Sequence, residues 1–279
     1  MSYKIIIDSC GELTEAMKAD EHFGSAALTL YVDEHTIVDD ETFRQSEFLR
    51  LVAESPNCPK SACPSPESFR DKFDCGADHV YAVTLSAELS GSYNSAILGK
   101  NLLLEEQPEK KVHVFNSKSA SGGQSLIAMK IIECEEKGLS FGEVVSEVEK
   151  YIEEMSTFFV LENLETLRKN GRLSRVKALV ASALKIKPVM GSTPEGTICQ
   201  LDQARGMNKA IVKMVDHIGE KGINIPEKTV AITHCNCPER ARMLEEAIRE
   251  KLNPAKIVVM DTAGVSSMYA NDGGVIVAV

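Results

Sequence analysis

Residues 79–107 read HVYAVTLSAELSGSYNSAILGKNLLLEEQ. His79 to Ser86 form an almost continuous apolar run rich in β-formers, and Ala96 to Gln107 read as a helix. Between them stand Ser86, Ser90, Ser92 and Ser95, the hydroxyl of Tyr93 and the bare backbone of Gly91. A strand that is apolar on both faces and passes directly into a helix is the repeating unit of a covered, parallel sheet.

The same unit recurs on either side. KIIIDS (4–9), ALTLYV (27–32) and KVHVFNS (111–117) are strand-like and precede helix-like runs. Residues 133–155 hold two helical segments broken at Gly138. The second carries Val144, Val145, Val148 and Ile152 on one face at helical spacing. From TFFVLEN (157–163) the pattern changes. A short helix (163–170) meets Gly171, and a longer one is expected over 175–185. A hairpin follows over 186–201, with Pro194 and Gly196 in its turn. Beyond it come a helix (206–222), a strand (229–235), a helix (238–252), a strand (255–261) and a last apolar run (273–279). The reading is a two-domain α/β protein. Residues 1–156 form an N-terminal, mainly parallel sheet with helices on both faces, and residues 157–279 form a mixed α/β domain.

The chain has 279 residues, 43% hydrophobic and 26% charged, with a net charge of −10. That balance argues against nucleic acid as partner, which needs a basic footprint. It equally disfavours an anionic membrane surface. No stretch is long and apolar enough for stable membrane insertion, and no secretory signal is visible. The eight cysteines are then expected as reduced thiols in a cytoplasmic protein. Cys235 and Cys237 form C-x-C without a second ligand pair, so no metal is expected.

Four junctions in the first half end in small hydroxyl residues: Asp8-Ser9, Ser61 to Ser65, Ser86 to Ser92, and Asn116 to Ser121. Loops from the carboxyl ends of strands converge in such sheets. Helix N-termini there offer free N–H groups to an anion, and Gly91 lets the backbone come close to it. Each junction alone also reads as ordinary helix capping. No G-x-S-x-G elbow, P-loop or G-x-G-x-x-G is present. His79, His113 and His234 lie in apolar strands. A carboxylate or phosphate cradle therefore stands beside two alternatives, a serine hydrolase with its nucleophile in LSGS and a binding protein for a small anionic metabolite. Arg168, Lys169, Arg172, Lys185 and Lys187 read as a solvated basic loop, or else Arg172 faces the anion across the domain boundary. Ala178 to Leu184 read as core or as the wall of an apolar tunnel.

Taken in order, these stretches resemble the DegV family over nearly the whole chain. DSCGEL (8–13) is similar to its D-S-x-x-D-L, with Glu12 for the acid. KSACPSPESF (60–69) resembles T-S-Q-P-S-P, with Ser61 at the threonine and Ala62 and Cys63 replacing Ser and Gln. LSGSYNSA (89–96) follows L-S-G-T-Y-Q-S-A, and FNSKSASGGQS (115–125) resembles D-S-x-x-x-S-x-G. LETLRKNGRLS (164–174) with ALKIKPVM (183–190) resembles L-x-x-L-x-x-G-G-R-I-S followed by L-x-I-K-P and keeps Arg172. SMYANDGG (267–274) stands over G-T-H-x-G-P-G, so Tyr269 replaces a histidine. A tyrosine can donate a hydrogen bond but carries no imidazolium charge near pH 7.

The resemblance implies a non-enzymatic, lipid-binding subunit with no cofactor beyond its bound fatty acid. The carboxylate is expected at the domain interface, with the acyl chain in a buried tunnel. Its partner would be a fatty acid kinase catalytic subunit that carries the ATP chemistry and forms the acyl phosphate. By position, Ser61, Ser90, Gly91, Ser92, Arg172 and Tyr269 are the expected ligand-binding residues.

Overall fold

A computed structural model describes residues 2–173 and 185–279. The helix expected over 175–185, with its apolar wall from Ala178 to Leu184, lies outside the described residues except for Lys185. The first half runs β1 (Tyr3–Asp8), α1 (Glu15–Ala19), β2 (Phe23–Ala26), β3 (Thr29–Val32), β4 (His35–Val38), α2 (Gln45–Glu54), β5 (Lys60–Ala62), α3 (Pro66–Phe73), β6 (His79–Thr84), α4 (Ser92–Glu106), β7 (Lys111–Asn116), α5 (Gly122–Glu136) and α6 (Phe141–Glu154). The second half runs β8 (Thr157–Val160), α7 (Glu165–Lys169), β9 (Ile186–Ser192), β10 (Ile198–Arg205), α8 (Met207–Lys221), β11 (Thr229–His234), α9 (Pro238–Leu252), β12 (Lys256–Asp261), α10 (Gly264–Ala270) and β13 (Val275–Ala278).

The decisive run behaves as its composition dictates. All six residues of β6 are buried. β6 pairs in parallel with β1 and β7, and β1 pairs in parallel with β2, giving the order β2-β1-β6-β7. Alternate residues serve opposite faces. Tyr81 and Val83 pack with α5 and α6, where Val144, Val148 and Ile152 form the expected stripe. Val80 and Ala82 pack with Phe69, Phe73, Ala96 and Leu103 of α3 and α4. Helices thus cover both faces.

One expected strand belongs elsewhere. Thr29–Val32 pairs antiparallel with β4 and with β5, in a separate sheet of order β4-β3-β5. Ser61 is therefore mid-strand, opposite fully buried Leu30, and on that strand's inward side. That side packs with α2 and α10 through Phe48, Val265 and Met268.

Every strand of the third sheet lies from Thr157 onward, in the order β10-β9-β8-β13-β11-β12. It is antiparallel except where β11 meets β12. The hairpin expected over 186–201 is β9–β10. Phe158 and Val160 of β8 join the core under α8 and α9. The alternate residues Thr157, Phe159 and Leu161 look the other way, toward the first sheet's loops and α10.

Candidate functional site

The carboxyl ends of β1, β6 and β7 meet at Asp8, which is fully buried. Its Oδ2 accepts the Leu85 amide (2.8 Å) and the Ser92 hydroxyl (2.5 Å). Its Oδ1 accepts the Cys10 amide (3.2 Å) and the Gln124 side-chain amide (2.8 Å). Burial raises the Asp8 pKa, and the bonds from Ser92, Gln124 and the two amides hold it back. One carboxylate thus pins the loop after β6 and the starts of α4 and α5.

Most hydroxyls noted in the sequence are taken up by such internal work. Ser9 donates to Asp39 (3.0 Å) and Ser86 to the Gly196 carbonyl (2.8 Å). Ser117 donates to the Ser119 carbonyl (3.0 Å) and Ser121 to Glu12 (2.8 Å). Ser65 is the N-cap of α3, accepting the Ser68 amide before Pro66 at the first helical turn. Ser92 must be corrected in the same way. Its hydroxyl is fully buried and donates to Asp8, so it braces the start of α4. Ser61 and Ser90 remain. The Ser90 hydroxyl accepts the Ser92 amide (3.2 Å) and donates to nothing among the described residues.

Around these two the chain gathers its other expected site residues. Gly91 caps α4, and a Cβ placed on it would lie 3.2 Å from the Cys63 sulfur, so the loops carrying Ser61 and Ser90 are in contact. Arg172 turns inward instead of joining the surface pairs formed by Arg168 with Glu165 and Lys187 with Glu162. Its Nε donates to the Leu89 carbonyl (3.1 Å) and its Nη1 to the Asn170 carbonyl (2.5 Å). Asn170 in turn donates to the Pro59 carbonyl (3.0 Å). The guanidinium lies 5.9 Å from the centre of the Tyr269 ring. No carboxylate among the described residues pairs with it. The Tyr269 oxygen is buried and, among the described residues, has no hydrogen-bond partner of good geometry. Burial raises its pKa, with Arg172 and the neighbouring Ser61 hydroxyl opposing. It is therefore a neutral donor without an acceptor.

Behind this cluster opens a cavity of about 100 Å³. Arg172, Tyr269, Leu89 and Leu167 line it at one end. It follows the β8 face past Leu161 and Phe159 to Thr157, Ser119 and the β9–β10 turn. Ile276, opposite Phe159 in the sheet, lines the middle. Cys10 also lines it, its thiol pushed well above the usual range by burial.

The histidines are occupied elsewhere. His79 meets Glu135 (2.7 Å), His113 meets Glu149 (3.1 Å) and His234 meets Asp261 (3.4 Å). Among the described residues no histidine hydrogen-bonds a serine hydroxyl, and no cluster of three or more His, Cys, Asp or Glu could hold a metal.

A second, polar cleft of about 700 Å³ lies beyond α10, which the sequence reading missed. Asp39 accepts the Gly264 amide (2.7 Å) and the Val265 amide (2.9 Å) at the start of that helix. Glu12 accepts the Ala263 amide (3.2 Å). Burial raises Glu12 to about 7 and Asp39 to about 6. Both folded values lie above the unfolded ones, so their stabilising contribution is complete below about pH 4 and is lost as pH rises through 6 and 7. Glu12→Gln is expected to stabilise the protein at pH 8, on the order of 3 kcal/mol, with little effect at pH 4.5. Urea unfolding at the two pH values measures this, and an equal effect at both would contradict the assignment.

A sequence model of the DegV family, described as an uncharacterised protein family, matches residues 2–279. A DegV domain-containing protein of Streptococcus pneumoniae is 34% identical over 278 residues, covering 99% of this chain and 98% of that protein. A DegV-family crystal structure from Ruminococcus gnavus, refined with vaccenic acid, is 54% identical, with a TM-score of 0.98 and 100% of both chains covered. The Streptococcus pneumoniae Fatty Acid Kinase (Fak) B3 protein loaded with linoleic acid is 33% identical, with a TM-score of 0.90, covering 100% of this chain and 99% of that one.

Proposed function

The chain belongs to the DegV family, and from that premise we propose that it binds one long-chain fatty acid and presents the carboxylate to a fatty acid kinase. The observation that carries this reading is the meeting of Arg172 and Tyr269 at one end of an apolar cavity, with the Ser61 hydroxyl against Tyr269 and, among the described residues, no carboxylate to answer the guanidinium. The site is read as lying between an N-terminal domain, residues 1–156, and a C-terminal domain, residues 157–279. Ser90 and the backbone at Gly91 complete the head-group site. Related proteins refined or loaded with vaccenic and linoleic acids support the ligand class.

The energetics divide between tail and head. Each buried methylene contributes about 0.8 kcal/mol, so a long acyl chain supplies on the order of 10 kcal/mol before entropic costs. A buried carboxylate without partners costs several kcal/mol. A fixed cation and neutral hydroxyl donors meet that need without a metal. The same groups hold the head at the cavity mouth, where a kinase can reach it. The protein is then a carrier and not the catalyst. With no histidine bonded to a serine hydroxyl among the described residues, the hydrolase alternative loses its general base. The cavity's largely apolar lining suits an acyl chain better than a small anionic metabolite.

Lipid extracted from the protein purified from bacteria is expected to contain about one fatty acid per chain. Absence of fatty acid, together with no uptake of added oleate, would sink the reading. No labelling by a fluorophosphonate probe is expected at Ser90.

A further inference from the structure

The inner end of the cavity is closed by a turn, not by bulky side chains. Gly196 sits in the β9–β10 turn with φ +88°, and a Cβ there would lie 2.5 Å from the Ser86 oxygen and 2.8 Å from the Lys118 backbone. The Ser86 hydroxyl donates to the Gly196 carbonyl (2.8 Å), tying the turn to the loop after β6. The turn is closed on itself by Thr193 N–H to the Thr197 carbonyl (2.8 Å) and Gly196 N–H to the Thr193 carbonyl (2.9 Å). Beside it Ser119 and Thr157 share a hydrogen bond (2.5 Å), and Ser192 accepts the Thr157 amide (3.1 Å).

These hydroxyls have protein partners. The inner end therefore presents mainly carbon to the cavity, with Ser86, Ser119 and Thr157 turned to protein partners and Ser192 accepting the Thr157 amide. It is also braced from both sheets, so it does not yield to one more methylene without breaking several bonds. From Leu161 to Thr157 the β8 face advances roughly 13 Å, about ten methylenes of extended chain.

We propose that the β9–β10 turn, held against Ser86 and Lys118, is the floor of the acyl site and sets the longest chain the protein accepts. Thr157 and Ser192 are the specificity-determining side chains above that floor. The proposal rests on the cavity being the acyl site. A chain one methylene too long leaves that group in water at a cost of about fourfold in affinity.

The test uses the full chain, stripped of lipid and incubated with an equimolar mixture of straight-chain fatty acids of graded length. Bound acids are read by native mass spectrometry. Thr157→Leu fills the space above the floor, and the milder Ser192→Val does so from the neighbouring strand. Melting curves identify which variants are folded and can be read. The favoured length is expected to fall by roughly two carbons in Thr157→Leu and about one in Ser192→Val. A folded variant that keeps the wild-type length profile overturns the floor while leaving the acyl site standing. A folded variant that loses all lengths alike also overturns it. A wild-type protein that takes up none of the acids overturns the acyl site itself.

Discussion

Arg172→Met is expected to weaken oleate binding by about tenfold to a hundredfold. Hydrogen bonds to a charged group contribute about 1.5–3 kcal/mol, and each 1.4 kcal/mol is a factor of ten. The loss is expected at this position because, among the described residues, no carboxylate competes for the guanidinium, which already fixes the wall of the cavity mouth through Leu89 and Asn170. Arg172→Lys keeps the charge without the planar fork and should fall between wild type and Arg172→Met. Tyr269→Phe removes only the orphaned phenolic donor, and with Ser61→Ala it should cost a further tenfold or so. Displacement of a fluorescent fatty acid measures all four. Affinities within twofold of wild type in Arg172→Met would place the carboxylate elsewhere.

Asp8→Ala is expected to have the largest effect on stability, on the order of 4 kcal/mol. It strips the acceptor from four buried donors at once: the amides of Leu85 and Cys10, the Gln124 side chain and the Ser92 hydroxyl. Each unsatisfied group costs about 1–3 kcal/mol, reduced where the cavity left behind admits water. Ser92→Ala removes one of these bonds and should cost about 1 kcal/mol. The contrast matters for function, because it separates a bracing serine from a ligand-facing one. Ser92→Ala should leave fatty-acid affinity nearly unchanged once folded, whereas Ser61→Ala should leave stability nearly unchanged and weaken binding. Urea unfolding and ligand displacement on the same variants decide this, and a reversed pattern would return Ser92 to the head-group site.

Much of the fold is legible because its strongest signals are local. The apolar run at His79–Thr84, the stripe at Val144, Val148 and Ile152 and the turn at Pro194–Gly196 each declare an element within a few residues. The small antiparallel sheet is only partly local. Thr29–Val32 reads like any strand of the parallel sheet, and its antiparallel pairing with His35–Val38 and with Lys60–Ala62 some thirty residues later assigns it elsewhere. GVSSMYA forms α10 although it is only seven residues long, because Val265, Met268 and Tyr269 share one packed face and Asp39 caps its start from across the chain.

The site shows the same division. Residue type and junction position marked out the hydroxyl cluster, but which hydroxyls are spoken for depends on distant partners. Asp8 claims Ser92, the Gly196 carbonyl claims Ser86 and Glu12 claims Ser121. The cavity wall was equally hidden. Phe159 and Phe158 are adjacent and chemically identical, yet one faces the cavity and the other the core, and only the pleat of β8 tells them apart.

A crystal structure of the protein soaked with oleate tests the central claim most directly. The carboxylate is expected within hydrogen-bonding distance of Arg172, Tyr269 and Ser61, with the chain running along β8 toward Thr157 and the turn at Gly196. Oleate bound the other way round, with its carboxylate at the inner end beside Lys118, or bound outside this cavity altogether, would contradict the account.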